Sequence, residues 1–337
     1  MSSSIFDSET AAASAWKRWL GKFLTTLSLA AAAILASIVL LDPYSTGRLS
    51  PITRVDITVG RRLFENAARV RDLRFDAAIF GNSHAYRLEP ARLDRATGRH
   101  FVQLAISMTY PNEHMFLMRQ FDLRRRERDI LLVLVLDHLW CAEDHDHGER
   151  VEVPRWLYAA SDFEYVRHLF TPLAFRGALR RLLIFAGLAD QAGHIDGYET
   201  EPWIPHDVAR RRAAMSAMVR PAAAPDPGVP FPFIDELDRE MAGFDPRASI
   251  LLMFPPVHVG FLPRPRSRAE ARFEVCKARI RKIAGERPRT AYLDLRIDGP
   301  IARDVMRFGD PTHYDEATAR EITSEIASAI RSITAAR

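Results

Sequence analysis

The chain predicts an α/β fold, a five-stranded parallel sheet with helices on both faces, tethered by one apolar helix near its start. Three observations carry that prediction. Strand-like and helix-like segments alternate from Phe75 onward, the order that builds a parallel sheet. Ile130 to Leu136 is an unbroken aliphatic run, the mark of a strand buried on both faces. Phe23 to Leu41 carries no charge and, at about 1.5 Å per residue, is long enough to cross the hydrocarbon of a bilayer.

Residues 1–15 are small and polar and are expected to be disordered. Lys17, Arg18 and Lys22 precede the apolar run and Asp42-Pro43 ends it. Basic flanks stay on the cytoplasmic side, so the expected topology keeps residues 1–22 inside, spans with 23–41 and exports the rest. Trp16 and Trp19 stand where interfacial anchors belong. A cleaved signal peptide is the competing reading. Its apolar core is usually about 7–15 residues, shorter than this one, which favours an uncleaved anchor. Residues 42–74 read as a linker with an entry helix over Ile57 to Val70, and the domain as 75–335.

Within that domain the first strand is Phe75 to Phe80, followed by a short helix at Pro90 to Ala96 that Thr97-Gly98 closes. His100 to Ala105 is the second strand. Asn112 to Leu123 is a helix with Met115, Met118 and Phe121 or Phe116 inward. Asp129 to Leu136, Ser249 to Phe254 and Thr290 to Leu295 are strands three to five, and Arg268 to Ile283 is the helix between the last two. Asp315 can cap the final helix, in which Ile322, Ile326 and Ile330 recur every four residues. Residues 138–248 are far more than a crossover needs. They read as an insertion at the carboxyl edge of the sheet, with helical stretches over Phe163 to Ala186 and Val208 to Met218, then the Pro- and Ala-rich Arg220 to Pro227. Open α/β sheets bind ligands at that edge, so a cap, a partner surface or a plain elaboration all fit.

Composition narrows the classes. The chain is 47% hydrophobic and 27% charged, a globular balance. Its net charge of +4 is spread over scattered arginines without interleaved aromatics, which excludes a nucleic-acid reading. Arg124 to Arg126 and Arg210 to Arg212 read as solvated helix faces. Cys141 and Cys276 are the two cysteines, and their spacing does not show that they pair.

Two short motifs carry the chemistry. Gly81-Asn82-Ser83-His84 follows the first strand, where glycine allows a sharp turn and a serine projects from the carboxyl edge. Its N–H would lie at the start of a helix beginning near Ala85, a place that stabilises an oxyanion. A serine there also serves simply as a helix cap. Asp310-Pro311-Thr312-His313 precedes the last helix in an expected loop. Asp310 can orient His313 through Nδ1 and leave Nε2 for Ser83, the logic of a nucleophile, base and orienter. Asp-Pro is equally ordinary turn chemistry.

These blocks resemble the first and last blocks of the SGNH/GDSL-type hydrolases, over Phe75 to about Ala335. GNSHAYRLEP followed by FVQLAIS is most similar to membrane-anchored, envelope-facing members such as alginate O-acetylation proteins and the D-alanyl transfer protein of teichoic acid assembly. The resemblance implies a three-layer flavodoxin-like sandwich and cleavage or transfer of an ester. Ser83 would be the nucleophile, His313 the base and Asp310 the orienter. It also implies an envelope polysaccharide or acyl-ester substrate, no cofactor, and a membrane acyltransferase or polysaccharide assembly proteins as partners. Two blocks depart from the family. Where it has an oxyanion-hole glycine, this chain has Ala105-Ile106-Ser107, leaving the Ser107 N–H as substitute. Where it has an asparagine, this chain has Asp137-His138; ionised Asp137 would repel an oxyanion, while His138 could donate to one. Asn82 is expected to tie its loop down and is a further candidate donor. With an incomplete hole the same fold reads as a binding or scaffolding subunit.

Cys141-Ala142-Glu143-Asp144-His145-Asp146-His147 is rich in ligand types, but His145 and His147 lack helical i,i+4 spacing, so a polar loop rather than a metal site is expected. His258, after strand four, faces the same edge and is a candidate substrate contact, although a packed loop histidine is the more expected reading.

Overall fold

The computed structural model describes residues 3–50, 62–143, 152–159, 161–190, 194–199 and 230–335, with isolated positions between 207 and 228. The Val208 to Met218 helix lies mostly outside these, and Arg220 to Pro227, His145 and His147 wholly so. The described helices are α1 (Ser3–Leu41), α2 (Arg62–Arg71), α3 (Pro90–Thr97), α4 (Pro111–Leu123), α5 (Arg155–Tyr158), α6 (Asp162–Arg167), α7 (Pro172–Phe185), α8 (Pro232–Ala242), α9 (Arg268–Glu286), α10 (Pro300–Arg303) and α11 (Glu316–Ala335). The strands are β1 (Ala77–Phe80), β2 (Phe101–Gln103), β3 (Leu131–Val135), β4 (Ser249–Phe254), β5 (Thr290–Asp294), β6 (Phe308–Asp310) and β7 (His313–Tyr314). The chain divides into two compact units, one of residues 60–158 with 192–337 and one of residues 1–59 with 159–191.

The larger unit is built on a five-stranded, all-parallel sheet in the order β2-β1-β3-β4-β5, the flavodoxin-like doubly wound order. Side chains alternate across it. Ala77, Ile79, Leu131, Val133, Leu251 and Met253 form one core cluster with Leu93 of α3 and Ile322, Ile326 and Ile330 of α11. The other parity packs oppositely: Phe80 meets Phe121 of α4 edge-on at 6.0 Å, and Phe254 meets Phe273 of α9 at 5.5 Å. The aliphatic run of β3 is explained by its central place, since both its faces are covered and its residues are essentially fully buried. β5 is an edge strand and only half-buried.

Several local features differ from expectation. No α-helix follows Ser83 directly; Ser83–Ala85 is a single 3-10 turn and α3 begins only at Pro90, with proline at its first turn. Asp310 and His313 lie not in a loop but across an antiparallel two-stranded hairpin, β6–β7, bulged between Phe308 and Asp310. α8 buries Phe233, Ile234, Leu237 and Met241. Cys141 and Cys276 form a disulfide with Cα atoms 5.6 Å apart, joining the end of the β3 edge to α9. α11 is capped as expected, Asp315 Oδ1 accepting the Thr318 N–H at 2.9 Å.

In the smaller unit, α1 contains a 27-residue apolar stretch, Ala15–Leu41, long enough to cross a membrane, whose most apolar 18 residues have a mean hydropathy of 2.3. A signal sequence near an N-terminus satisfies the same test. The helix starts at Ser3, so the polar tail is helical rather than disordered. The stretch expected as one helix from Phe163 is two, broken where Thr171 caps α7 and Pro172 opens it. Asp42, just past α1, binds both: its carboxylate accepts from Thr46 at 3.0 Å and from the Tyr165 hydroxyl at 2.7 Å, and its carbonyl accepts from Arg181 at 2.9 Å.

Candidate active site

The site grows from the carboxyl ends of β1 and β5. Gly81 follows β1 with φ +149°, and a Cβ there would stand 3.0 Å from Val135 Cβ and from the Val135 carbonyl. Only glycine lets the chain turn this close to β3. Asn82 then holds the turn, its Oδ1 accepting the His84 N–H at 3.1 Å and its amide donating to Asp137. The hairpin comes from the other side, and the Tyr314 hydroxyl donates to the His84 carbonyl, pinning one motif to the other.

The result is a hydrogen-bonded chain of three side chains. Ser83 Oγ lies 2.8 Å from His313 Nε2, and His313 Nδ1 lies 2.7 Å from Asp310 Oδ2. The other carboxylate oxygen, Oδ1, accepts the Thr312 N–H at 2.8 Å, the Thr312 hydroxyl at 2.9 Å and the His313 N–H at 3.0 Å. The backbone of the hairpin thereby fixes the carboxylate, and Oδ2 is left for the imidazole. Burial alone would raise the Asp310 pKa, but the hydrogen bond and charge of His313 and the Thr312 donors outweigh it and hold it down at about 2. An ionised Asp310 only accepts, so Nδ1 carries the imidazole proton and Nε2 presents a lone pair to Ser83. A serine hydroxyl so placed can lose its proton as it attacks an electrophilic carbon.

His84 lies beneath this chain. Its ring stacks on His313 with centroids 4.9 Å apart, and neither ring nitrogen has a hydrogen-bond partner among the described residues. Burial first, then the neighbouring His313, Arg296 and His138, push its pKa well below 6.5, so it is neutral at pH 7. Ser83, His84, Arg87, His313 and Tyr314 line a shallow, open crevice of about 10 Å³, space for no more than about one water.

The expected oxyanion donors fare unevenly. The Ser83 N–H heads its 3-10 turn and so has no acceptor within that turn. The Ser107 N–H is already committed to the Tyr86 hydroxyl and is not free to receive an oxyanion. Asn82 serves the turn and Asp137, as the tie it was expected to be. His138 sets its ring edge-on to Phe261 at 5.4 Å, and burial lowers its pKa against the pull of Asp137. Asp137 itself is buried and accepts from Asn82 and from the Leu139 N–H at 2.9 Å. Buried Arg296 stands near enough to Asp137 for the carboxylate to oppose the burial that lowers its guanidinium to about 10. The charge of Asp137 is therefore compensated locally rather than turned on the serine.

His258 is packed into its loop, the more expected of its two readings. Its N–H donates to the Pro311 carbonyl at 2.9 Å, its Nδ1 accepts the Gly260 N–H at 3.1 Å, and its ring meets Phe308 edge-on at 5.9 Å. These contacts brace the hairpin turn that carries Asp310. Sequence reasoning passed over His84, Tyr86, Thr312 and Arg296. His84 and Thr312 stand inside the quoted motifs, whereas the partners of Tyr86 and Arg296 are distant in the chain. Among the described residues no group of three or more His, Cys, Asp or Glu gathers to hold a metal ion. Compared with protein-family models and with curated proteins, the chain gives no match to either.

Proposed function

We propose that this is an SGNH-like serine esterase or O-acyltransferase, anchored by α1 with its catalytic unit on the exported side of a membrane. The single observation that carries the reading is the continuous link from Ser83 Oγ through His313 to Asp310, at 2.8 and 2.7 Å. His313 Nε2 takes the Ser83 proton as Oγ attacks an ester carbonyl. The tetrahedral oxyanion forms beside the Ser83 N–H. As it collapses, the ester C–O bond breaks and His313 gives the proton to the leaving alcohol, leaving the acyl group on Ser83. Water or a sugar hydroxyl then loses its proton to His313, attacks the acyl carbon and releases Ser83. The crevice beside Ser83 is shallow and encloses no long acyl chain, which favours a short acyl group, and an envelope polysaccharide as donor or acceptor follows from the resemblance.

The exported location draws on two independent supports. Lys17, Arg18 and Lys22 flank the amino end of the span. Beyond it, Cys141 and Cys276 are paired, and such bonds persist in oxidising compartments.

A second reading has its own observation. The Ser107 N–H is occupied by Tyr86, and one missing oxyanion donor costs about 10²–10³ in rate, which favours a slow, substrate-binding subunit of an envelope assembly. The full chain in detergent, given an activated acetyl ester, separates the two. Hydrolysis abolished by Ser83→Ala supports the enzyme; equal background rates for both proteins leave the binding subunit.

A further inference from the structure

Helix α7 is built the wrong way round for a soluble protein. Its inward face is Ala174, Gly177, Ala178 and Arg181, three small residues and one guanidinium. Its outward face carries Phe175, Leu179, Leu182 and Leu183, a stripe at helical spacing of which each member is 36–55% exposed. A face of this kind marks a contact with something apolar.

The small face explains where the helix sits. A Cβ on Gly177 would stand 3.0 Å from Pro43 Cβ and from the Pro43 carbonyl, so the α7 backbone lies directly on the residue that follows α1. Arg181, fully buried, donates to the Asp42 carbonyl and to Ser45 Oγ at 3.0 Å, while Tyr165 of α6 binds the Asp42 carboxylate. Helices α6 and α7 are therefore fastened to the exit point of the span.

We propose that the outer face of α7 is seated in the acyl-chain and headgroup boundary of the bilayer crossed by α1, as a monotopic foot. The inference rests on the reading of α1 as an uncleaved anchor. Proximity identifies the occupant: α7 packs against α1 and its Gly177 against Pro43, at the end of a span whose own Ile34 and Leu40 are 55% and 50% exposed, so the stripe lies next to the exposed apolar surface of the span. A helix of 14 residues is about 21 Å long, too short to cross and suited to lie in the interface. Exposed Arg176, beside Phe175, has the reach to place its charge among lipid phosphates. A foot of this kind would hold the smaller unit at the membrane surface rather than leave it swinging on a single tether.

The test uses the full chain in phospholipid nanodiscs. The two native cysteines are joined, so a nitroxide reports a single introduced thiol. Labels are placed at Leu182→Cys, at Leu29→Cys in α1, and at Glu325→Cys on α11 as the aqueous control. Collision with oxygen, which partitions into lipid, is compared with collision with a water-soluble nickel chelate. The expected result is oxygen collisions several-fold above nickel at 29 and at 182, with 182 the shallower, and the reverse at 325. Nickel-dominated collision at 182 with 29 still in lipid overturns the foot and spares the anchor. Shielding of 182 from both reagents, with 29 in lipid, also overturns it and shows a second copy or a protein partner on the stripe. Nickel-dominated collision at 29 ends the anchor reading and the foot together.

Discussion

Replacing Asp310 with asparagine is the sharpest perturbation the site offers, because the hairpin dictates how the amide must sit. Oδ1 receives three donors, the Thr312 N–H, the Thr312 hydroxyl and the His313 N–H, at 2.8 to 3.0 Å. An NH₂ group cannot accept any of them, so the amide oxygen takes the Oδ1 position. The NH₂ then occupies the Oδ2 position and donates to His313 Nδ1. That nitrogen becomes the acceptor, the ring proton moves to Nε2, and Nε2 now donates to Ser83 instead of accepting from it. The wrong tautomer in a triad costs about 10⁴ in rate, equal to about 5 kcal/mol of barrier. The geometry is otherwise kept, but the carboxylate charge is lost, so the thermal midpoint near neutral pH should fall by a few degrees, in line with about 2 kcal/mol, while the protein stays folded. The assay is acylation of the full chain by an activated ester, with an unfolding scan on the same preparation. An acylation rate within tenfold of the parent, in a folded Asp310→Asn protein, would refute the relay.

Three further outcomes follow from the same structure. His84→Phe removes two buried ring nitrogens that have no hydrogen-bond partner among the described residues, so it should raise stability by about 1–3 kcal/mol; a loss would reveal a partner for the imidazole. Acid should weaken the fold in two stages. Burial lowers His114 from 6.5 to about 4, so its neutral form is favoured in the native state and its contribution, about 3 kcal/mol, is complete above pH 6.5 and lost as pH falls toward 4. Asp310, held at about 2 against an unfolded 3.8, adds about 2 kcal/mol that is lost between about pH 4 and 2. Urea midpoints that stay flat between pH 7 and 4 contradict the first stage. Cys276→Ser opens a cross-link spanning 135 residues, for which chain entropy assigns about 5 kcal/mol; an unchanged urea midpoint would contradict that assignment.

The parts of the fold that were legible are those with a local physical cause. β4 runs from Ser249 to Phe254 as its six buried residues suggest, and the aliphatic run of β3 could only be a central strand. Gly81 and Asn82 announce a tight turn at a strand end, and the parallel order brings that end to the edge that the Asp310 hairpin also reaches. What stayed hidden depends on distant partners. Nothing in a separation of 135 residues says that two cysteines meet. The β6–β7 hairpin has strands of three and two residues, too short for any alternation to register. The helix dipole expected behind Ser83 failed because Leu88 and Glu89 intervene before Pro90 can start α3. Ser107 was a sound candidate donor by position, and only the Tyr86 hydroxyl, twenty-one residues earlier, removes its N–H. α8 did carry a signal, Phe233, Ile234, Leu237 and Met241 behind Pro232, masked by the proline-rich stretch before it.

The central claim is that Ser83 is a nucleophile activated by His313, and covalent trapping addresses it most directly. The full chain is treated with a fluorophosphonate and digested, and the modified residue is located by peptide mass spectrometry. The account predicts one adduct, on Ser83, formed at least about a hundredfold faster than in His313→Ala, about 2.7 kcal/mol of activation. An unmodified Ser83, or equal labelling with and without His313, would contradict it.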